Sequence, residues 1–424
     1  MHPQNVQDEQ LIRSVPGRRA TSGNDDNINQ FQGKHSDSAT TRITWLQAAR
    51  CVLPLYIVIH ILFLLLSYLA TLFVVRNYSL NSLPLSSLVL AWNRWDTGHF
   101  TAIATHGYVA AWQTAFFPLF SLLERGVALV VGGPFRAGLI ISNLCAFVML
   151  VVFYRLVWED FGQEPAFRAV LFISIFPTAF FFVAAYSESL FLCLVLLSFY
   201  SMRHAHWWLA GLLGLFACLT RAAGLLLIVP FFYEYLRQRH FRLRAIGLNV
   251  LSSVLIPSGV ALFALYCYLR FHDVLAFSHA EKIAWNRELR VPWYGLSGAI
   301  TTIAQYGLKG ALSFSSIHNM IDLSAELFIL ALVILGFVGP WKFSKGLRVY
   351  ALYAAAFYLF SILFPLTGKV PLGALSRFLL EVFPAFITLA LLLKKEHSTL
   401  YYTILSVGLL AFLTLQFLTG HWII

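Results

Sequence analysis

The sequence predicts an all-α protein that crosses a membrane many times, and three observations support this fold class. Of the 424 residues, 59% are hydrophobic and only 12% are charged, whereas a soluble globular domain carries about 25% charged residues. Runs such as 52–75 and 400–419 are long enough to cross a hydrocarbon core, which takes roughly 17–25 apolar residues. Because polar and apolar residues do not alternate in these runs, they predict helices and not the strands of a membrane barrel.

The N-terminal segment, residues 1–45, differs in composition from the rest of the chain. It is rich in Gln, Asn, Ser, Asp and Arg and has few clustered apolar residues, so we expect a disordered cytoplasmic tail. It lacks the early apolar core of a signal peptide. Residues 46–424 are then expected to form one transmembrane domain. The five cysteines lie far apart in apolar stretches, which favours isolated core residues over disulfides or a metal site.

The basic residues predict the orientation, because short loops rich in Lys and Arg usually face the cytoplasm. Two apolar segments separate each basic cluster from the next, so three clusters can lie on one side: 237–244, 342–348 and 394–395. This places the N-terminus in the cytoplasm and the loop that begins near Arg76 outside. The same placement accounts for the net charge of +11, so we expect no nucleic-acid partner. The resulting topology has about eleven transmembrane helices.

The middle of the chain departs from simple spans at two places. Predicted spans occupy 136–157, 166–184 and 187–202. Segment 206–235 is too long for one crossing and has Arg221 at its centre, which predicts two short helices that meet near this arginine. Segment 115–132 has Glu124 at its centre, and a charge there is costly in lipid. We therefore expect an interfacial helix within the first external loop.

The first external loop contains the densest group of polar and aromatic residues, which includes the string RWDTGHF at 94–100. An ionisable side chain at a membrane face is a functional hypothesis by default, and Asp96 is the acid in this string. Alternatively, Arg94 and Asp96 form a structural pair. His99 follows three residues later, so on a helix it would share a face with Asp96.

Together with IATHGY at 103–108 and AFFPLF at 115–120, this string resembles the PIG-V family of mannosyltransferases. Further blocks that resemble the family occur in order along the chain: 176–181, 186–191, 219–224, 277–287, 376–384 and 420–422. The family includes the eukaryotic enzyme that adds the second mannose to the GPI anchor, and it belongs to the GT-C superfamily. The resemblance implies a GT-C-type fold, a polyprenyl-phosphate mannose donor, a lipid-linked or glycan acceptor, and Asp96 as the catalytic base.

Inverting transfer from a polyprenyl phosphate needs a base for the acceptor hydroxyl and positive charge near the departing phosphate. Asp96 is the candidate base, and Arg221 and Arg377 are the candidate phosphate ligands. Each arginine also has a structural interpretation. Arg221 could form a buried pair with Glu188, and Arg377 could be a snorkelling side chain at the membrane interface.

The remaining candidate substrate contacts are less specific. Arg94 and His99 flank the acid, and His99 could orient it, bind phosphate or help to hold a divalent metal, although one acid and one histidine do not define a metal site. Glu188 lies at the outer end of a predicted span, where it could contact the acceptor, but we expect structural pairing. Trp285 and Arg287 lie in a long outer loop, where aromatic faces could pack on sugar rings.

Two alternative functions follow from the same residues. The fold could move another sugar, such as glucose or arabinose, because the motifs do not report a hydroxyl configuration. A lipid or sugar transporter would place ionisable groups near the bilayer midplane and show repeat symmetry, whereas here the unusual polar residues lie on one predicted face. We expect a plasma-membrane protein in a prokaryotic host and an ER-membrane protein in a eukaryotic one, with the active site on the extracytoplasmic or lumenal face.

Overall fold

The computed structural model describes residues 43–74, 85–311, 314–368 and 370–421. The predicted tail, apart from its last three residues, lies outside these ranges. Within them the chain forms α-helices and short 3-10 helices and no β-strand, and one isolated antiparallel bridge joins Arg287 and Leu366.

The α-helices of the described residues are named here in chain order. They are α1 Trp45–Val74, α2 Leu85–Leu90, α3 Asp96–His106, α4 Pro118–Val131, α5 Pro134–Phe161, α6 Gln163–Ser174, α7 Glu188–Arg203, α8 Trp207–Thr220, α9 Ile228–Gln238, α10 Leu255–Phe271, α11 Ala276–Trp285, α12 Tyr294–Ala311, α13 Phe314–Phe337, α14 Arg348–Leu363, α15 Leu375–Phe378, α16 Phe383–Leu392 and α17 Glu396–Leu418. The 3-10 helices are Ala111–Ala115, Ala179–Phe182, Ala222–Leu227, Leu243–Ala245, Leu248–Val254 and Leu379–Glu381.

Five helical segments of the described ranges are long and apolar enough to cross a membrane: Trp45–Val74, Pro134–Phe161, Leu248–Phe271, Ile317–Phe337 and Glu396–Leu418. A sixth crossing is formed if the bent pair Leu375–Glu381 and Phe383–Leu392 is one broken span. The protein is therefore an all-α, multi-pass membrane protein. The predicted number of about eleven crossings also counts shorter helices such as α7 and α8, and it stays a prediction.

Two breaks in the helices follow from local sequence. The chain is extended at Arg221, with φ −157° and ψ 144°, so the predicted junction of two short helices is confirmed. Gly224 allows the following 3-10 helix to fold back on α8, because a Cβ at this position would lie 2.5 Å from the backbone nitrogen of Cys218. Segment 166–184 is not one continuous helix, since α6 ends at Ser174 and Pro177 disfavours helix at the residue before it; a crossing there stays a prediction.

The helix expected within 115–132 is present as α4, which starts at Pro118, a residue pre-organised for the first helical position. Glu124, at its centre, is fully buried, whereas Leu129 and Val130 are exposed. Burial raises the pKa of Glu124 to about 9. The acid therefore faces protein and not lipid, which removes the cost that a central charge would have in a span.

A broken helix positions the short helix α15. Its two legs, 375–381 and 383–392, are bent by 79°, and Pro384 opens the second leg. Phe383 anchors the bend, because its ring packs at 5.1–5.8 Å against those of Phe153, Phe199 and Tyr353 on three other helices. Interrupted backbone at membrane depth is tolerated where protein or a water-filled cavity surrounds it, and such cavities commonly hold sites.

Helix α7 connects two charged regions of the molecule. Glu188 begins the helix and Arg203 ends it, and a rise of 1.5 Å per residue puts them about 22 Å apart. At the second end, Arg203 pairs with Asp160 and, at 3.2 Å, with Glu234. Arg237 pairs with Glu234 at 2.6 Å. These residues, Asp160, Arg203, Glu234 and Arg237, are called the Arg203 network.

Candidate active site

Asp96 is the first residue of α3, and a strained turn presents it. Trp95, immediately before it, has φ 49° and ψ −117°, a backbone conformation that bulky residues rarely adopt. The buried side chain of Tyr186 stabilises this turn: its hydroxyl accepts a hydrogen bond from the Asp96 N–H and donates one to the Arg94 carbonyl, both at 3.2 Å. The 94–100 motif and the 186–191 motif thus meet through one side chain.

The Asp96 carboxylate pairs with an arginine far away in sequence. Arg377 Nη1 donates to Asp96 Oδ2 at 2.7 Å, and Arg377 Nε donates to Glu188 Oε1. The Asp96 side chain is 21% exposed and that of Arg377 is 12% exposed. Ala374, which precedes helix α15, has φ 69°. A residue with positive φ therefore lies directly before Asp96 and another lies three residues before Arg377.

The pair extends into a larger network. Glu188 Oε1 also accepts from Arg221 Nη1 at 2.8 Å, and Arg221 Nη1 lies 3.2 Å from Glu381 Oε1. We call Asp96, Arg377, Glu188, Arg221 and Glu381 the Asp96 network. Within the part of the chain that the structure describes, Glu188 Oε2 and Glu381 Oε1 have no hydrogen-bond partner, although both residues are buried.

Four of the candidate residues from the sequence therefore lie together: Asp96, Glu188, Arg221 and Arg377. The buried pair of Arg221 with Glu188, proposed as the structural alternative, is present. Arg377 pairs with Asp96 and Glu188, and its side chain is only 12% exposed, which favours a role in the site over a snorkelling side chain. Arg94 does not pair with Asp96 among the described residues, since its Nε and Nη2 donate to the Leu418 carbonyl at 3.2 and 2.9 Å; it anchors the loop to the end of α17.

Glu381 is a member of the Asp96 network that was not predicted from the sequence. The spacing of four residues between Arg377 and Glu381 was the available signal, because it resembles a helical ion pair. Arg377 and Glu381 both lie in an otherwise apolar stretch, where ionisable residues are functional candidates.

His99 faces aromatic rings. Its ring centroid lies 5.4 Å from Trp112, 5.0 Å from Phe116 and 6.2 Å from Trp285. Trp112 is 39% exposed, so this cluster reaches the surface beside α3. Among the described residues no group of three or more His, Cys, Asp or Glu side chains could hold a metal ion.

Three arginines surround one aromatic ring next to the Asp96 network. The guanidinium carbons of Arg221 and Arg287 lie 5.0 Å, and that of Arg377 5.9 Å, from the centroid of Phe378. Glu281, on α11, lies within the field of the same three charges, which lower its pKa, while its burial raises the pKa more strongly. The region thus combines fixed positive charge with several carboxylates in a mostly buried environment, where electrostatic interactions are stronger than in water.

No family model matches the chain. Curated proteins similar to it include GPI alpha-1,6-mannosyltransferase 2 of Cricetulus griseus, 29% identical over 205 residues, which are 42% of this chain and 40% of that protein. The same-named proteins of Rattus norvegicus and Homo sapiens are 33% and 32% identical over 147 and 150 residues, 31% of this chain and 29% of each relative. The chain thus matches less than half the length of these relatives. These similarities confirm the resemblance that the motifs indicated, and the chain is a PIG-V-like sequence over 31–42% of its length.

Proposed function

We propose that the chain is an integral-membrane mannosyltransferase of GT-C type. It moves mannose from a polyprenyl-phosphate donor to a lipid-linked or glycan acceptor on the extracytoplasmic face. The observation that carries the proposal is the Asp96 network: a partly exposed carboxylate held by an arginine at the start of α3, in a chain similar to GPI alpha-1,6-mannosyltransferase 2. The predicted orientation and about eleven crossings belong to the same proposal.

The proposed reaction inverts the anomeric carbon in one displacement. The acceptor hydroxyl oxygen forms the new bond to that carbon, the bond from the carbon to the phosphate oxygen breaks, and the phosphate leaves with the electron pair. Asp96 takes the hydroxyl proton. Arg377 holds Asp96 Oδ2, which leaves Oδ1 to face the acceptor. A positioned base of this kind contributes roughly 10²–10⁴-fold to the rate.

Positive charge for the leaving phosphate comes from the arginines around Phe378, which include the two sequence candidates, Arg221 and Arg377. Electrostatic groups aimed at developing charge are often the largest single contribution to catalysis. The aromatic cluster of His99, Trp112 and Trp285 suits an acceptor sugar, because aromatic faces pack against the apolar face of a sugar ring. The membrane is the plasma membrane in a prokaryotic host and the ER membrane in a eukaryotic host.

The test is a transfer assay with membranes that contain the wild-type chain or Asp96→Asn. The membranes receive polyprenyl phosphates that carry radiolabelled mannose, glucose or arabinose, and the labelled lipids are separated and identified. We expect label in a glycolipid only from the mannose donor, and only with the wild-type chain. Transfer of glucose or arabinose in place of mannose would show that the proposed sugar is wrong. The absence of transfer from all three donors would overturn the proposed function.

A further inference from the structure

Arg287 differs from the other two arginines beside Phe378 in its partners. Its Nη1 donates to the Phe364 carbonyl at 3.0 Å and its Nη2 to the Gly373 carbonyl at 2.7 Å. Among the described residues no carboxylate lies within ion-pair distance of it, whereas Arg221 and Arg377 each contact two carboxylates. Arg287 is thus held in place by neutral groups and forms no direct ion pair within the described ranges, although Glu281 and Asp322 lie within its field.

The charge balance of the Asp96 network favours Arg287 as the anion-binding residue. The network contains three carboxylates and two arginines, so with every group ionised it carries a net charge of −1. A phosphate placed against Arg221 or Arg377 would compete with carboxylates that already occupy them. Burial lowers the pKa of Arg287, so its cationic form would gain from a nearby anion.

Hydrogen bonds between two segments, 286–290 and 363–367, hold Arg287 in position. The Thr367 N–H donates to the Asn286 carbonyl, and the Arg290 N–H donates to the Leu363 carbonyl, each at 2.9 Å. The outer loop is therefore fixed against the segment that leads to α15. A guanidinium has five N–H groups, and two of those on Arg287 are used by carbonyls, so three can bind a ligand.

Arg287 also lines a narrow cleft between α12, α14 and the segment before α15. Most of its lining is apolar, including Pro292, Pro365 and Leu372, and Ser361 and Glu326 add polar groups. The Glu326 side chain contacts the Tyr358 hydroxyl at 3.5 Å. An apolar cleft with a fixed cation at its wall suits a ligand that combines a hydrocarbon chain with an anionic head.

We propose that Arg287 binds the phosphate of the polyprenyl-phosphate donor, and that Arg221 and Arg377 are positioning residues that hold Asp96, Glu188 and Glu381. This inference rests on the proposed function, because it assigns the donor phosphate of the same site. It differs from the sequence-based prediction, which has Arg221 and Arg377 as the phosphate ligands.

The test compares two ligands that differ only in charge, a polyprenyl phosphate and the uncharged polyprenol of the same chain length. Both are titrated onto purified full-length protein in detergent. Arg287→Gln should weaken binding of the polyprenyl phosphate roughly 10–100-fold, as expected for a lost charge-assisted contact, and should leave polyprenol binding unchanged. Arg287→Lys should restore part of the affinity, because it returns the charge without the planar fork.

Arg290→Gln is the matched control, since Arg290 lies in the same loop, is exposed and pairs with Glu288; it should bind both ligands like the wild type. Equal loss of both ligands in Arg287→Gln and Arg287→Lys would show that Arg287 only fastens the loop, and would overturn the proposal. A wild-type preference for the phosphate that survives in Arg287→Gln would also overturn it, while leaving the proposed function intact. A wild type without any preference would instead overturn the polyprenyl-phosphate donor itself.

Discussion

The two charged regions at the ends of α7 differ in how completely their carboxylates are hydrogen-bonded. In the Arg203 network, Asp160 accepts from Arg203 on one oxygen and from the Tyr350 hydroxyl, at 2.5 Å, on the other. Both oxygens of Glu234 accept from Arg237, at 2.6 and 2.7 Å. In the Asp96 network, by contrast, an oxygen of Glu188 and one of Glu381 have no partner among the described residues.

This difference separates a structural network from a candidate reaction site. A buried polar atom without a hydrogen bond costs about 1–3 kcal/mol, and natural proteins keep few of them. In a network such as that of Arg203, which holds helices together, each carboxylate oxygen already accepts a hydrogen bond from the protein. The Asp96 network keeps unused acceptors and a partly exposed acid, which is the arrangement expected where a substrate completes the contacts.

The largest expected effect is an all-or-none difference in thiol labelling. It tests whether the two networks face opposite sides of the membrane. In a variant without the five native cysteines, Gly98→Cys should react with an impermeant thiol reagent in intact cells, and Arg244→Cys should react only after permeabilisation. Both positions are exposed, and a Cβ at Gly98 meets no atom within 4 Å, whereas the neighbouring Thr97 is fully buried. The reverse pattern, or equal labelling of both, would contradict the predicted orientation.

Matched carboxylate substitutions give the next largest effect. Asp96→Asn should lower turnover per folded molecule roughly 10²–10⁴-fold, because the amide cannot take a proton, and should leave donor binding largely unchanged. Asp160→Asn should instead lower the free energy of unfolding, by about 1–3 kcal/mol, because it weakens the hydrogen bonds of Asp160 with Arg203 and Tyr350, while Arg203 keeps Glu234 as a partner.

Turnover normalised to folded protein, measured beside thermal unfolding, distinguishes the two carboxylates. Near-normal turnover in Asp96→Asn would end the catalytic claim. A loss of turnover in folded Asp160→Asn as large as that in Asp96→Asn would remove the contrast between the networks.

A smaller effect distinguishes the possible roles of Arg377. Arg377→Lys keeps the charge but cannot reach Asp96 and Glu188 together with one planar group. If Arg377 positions Asp96, kcat should fall about 10-fold with little change in the donor KM. If it binds the phosphate, the donor KM should rise. Arg203→Lys is the control in the Arg203 network, and its kcat should stay within about twofold of the wild type.

The fold class and the members of the site could be predicted from the sequence to different extents. Apolar runs and basic loops depend on local composition, so the membrane class and the break at Arg221 were accessible. The motifs grouped Asp96, Glu188, Arg221 and Arg377, and the Arg221–Glu188 pair was foreseen as an alternative. The pairing of Asp96 with Arg377 was not, because the two residues are 281 positions apart. Glu381 was missed although its spacing from Arg377 was an available signal. The carbonyl contacts of Arg287 were missed because they join residues 77 and 86 positions apart, which composition does not encode.

The backbone at Trp95 and Ala374 has a practical consequence for anyone who stabilises this protein for biochemistry. Left-handed conformations at residues other than glycine cost about 1–3 kcal/mol each, and these two lie directly before Asp96 and three residues before Arg377. A screen for heat-resistant variants would therefore tend to select glycine at these positions. Such variants would loosen the two turns that aim the acid and its arginine at each other, so the more robust preparation would be the less useful one for assays.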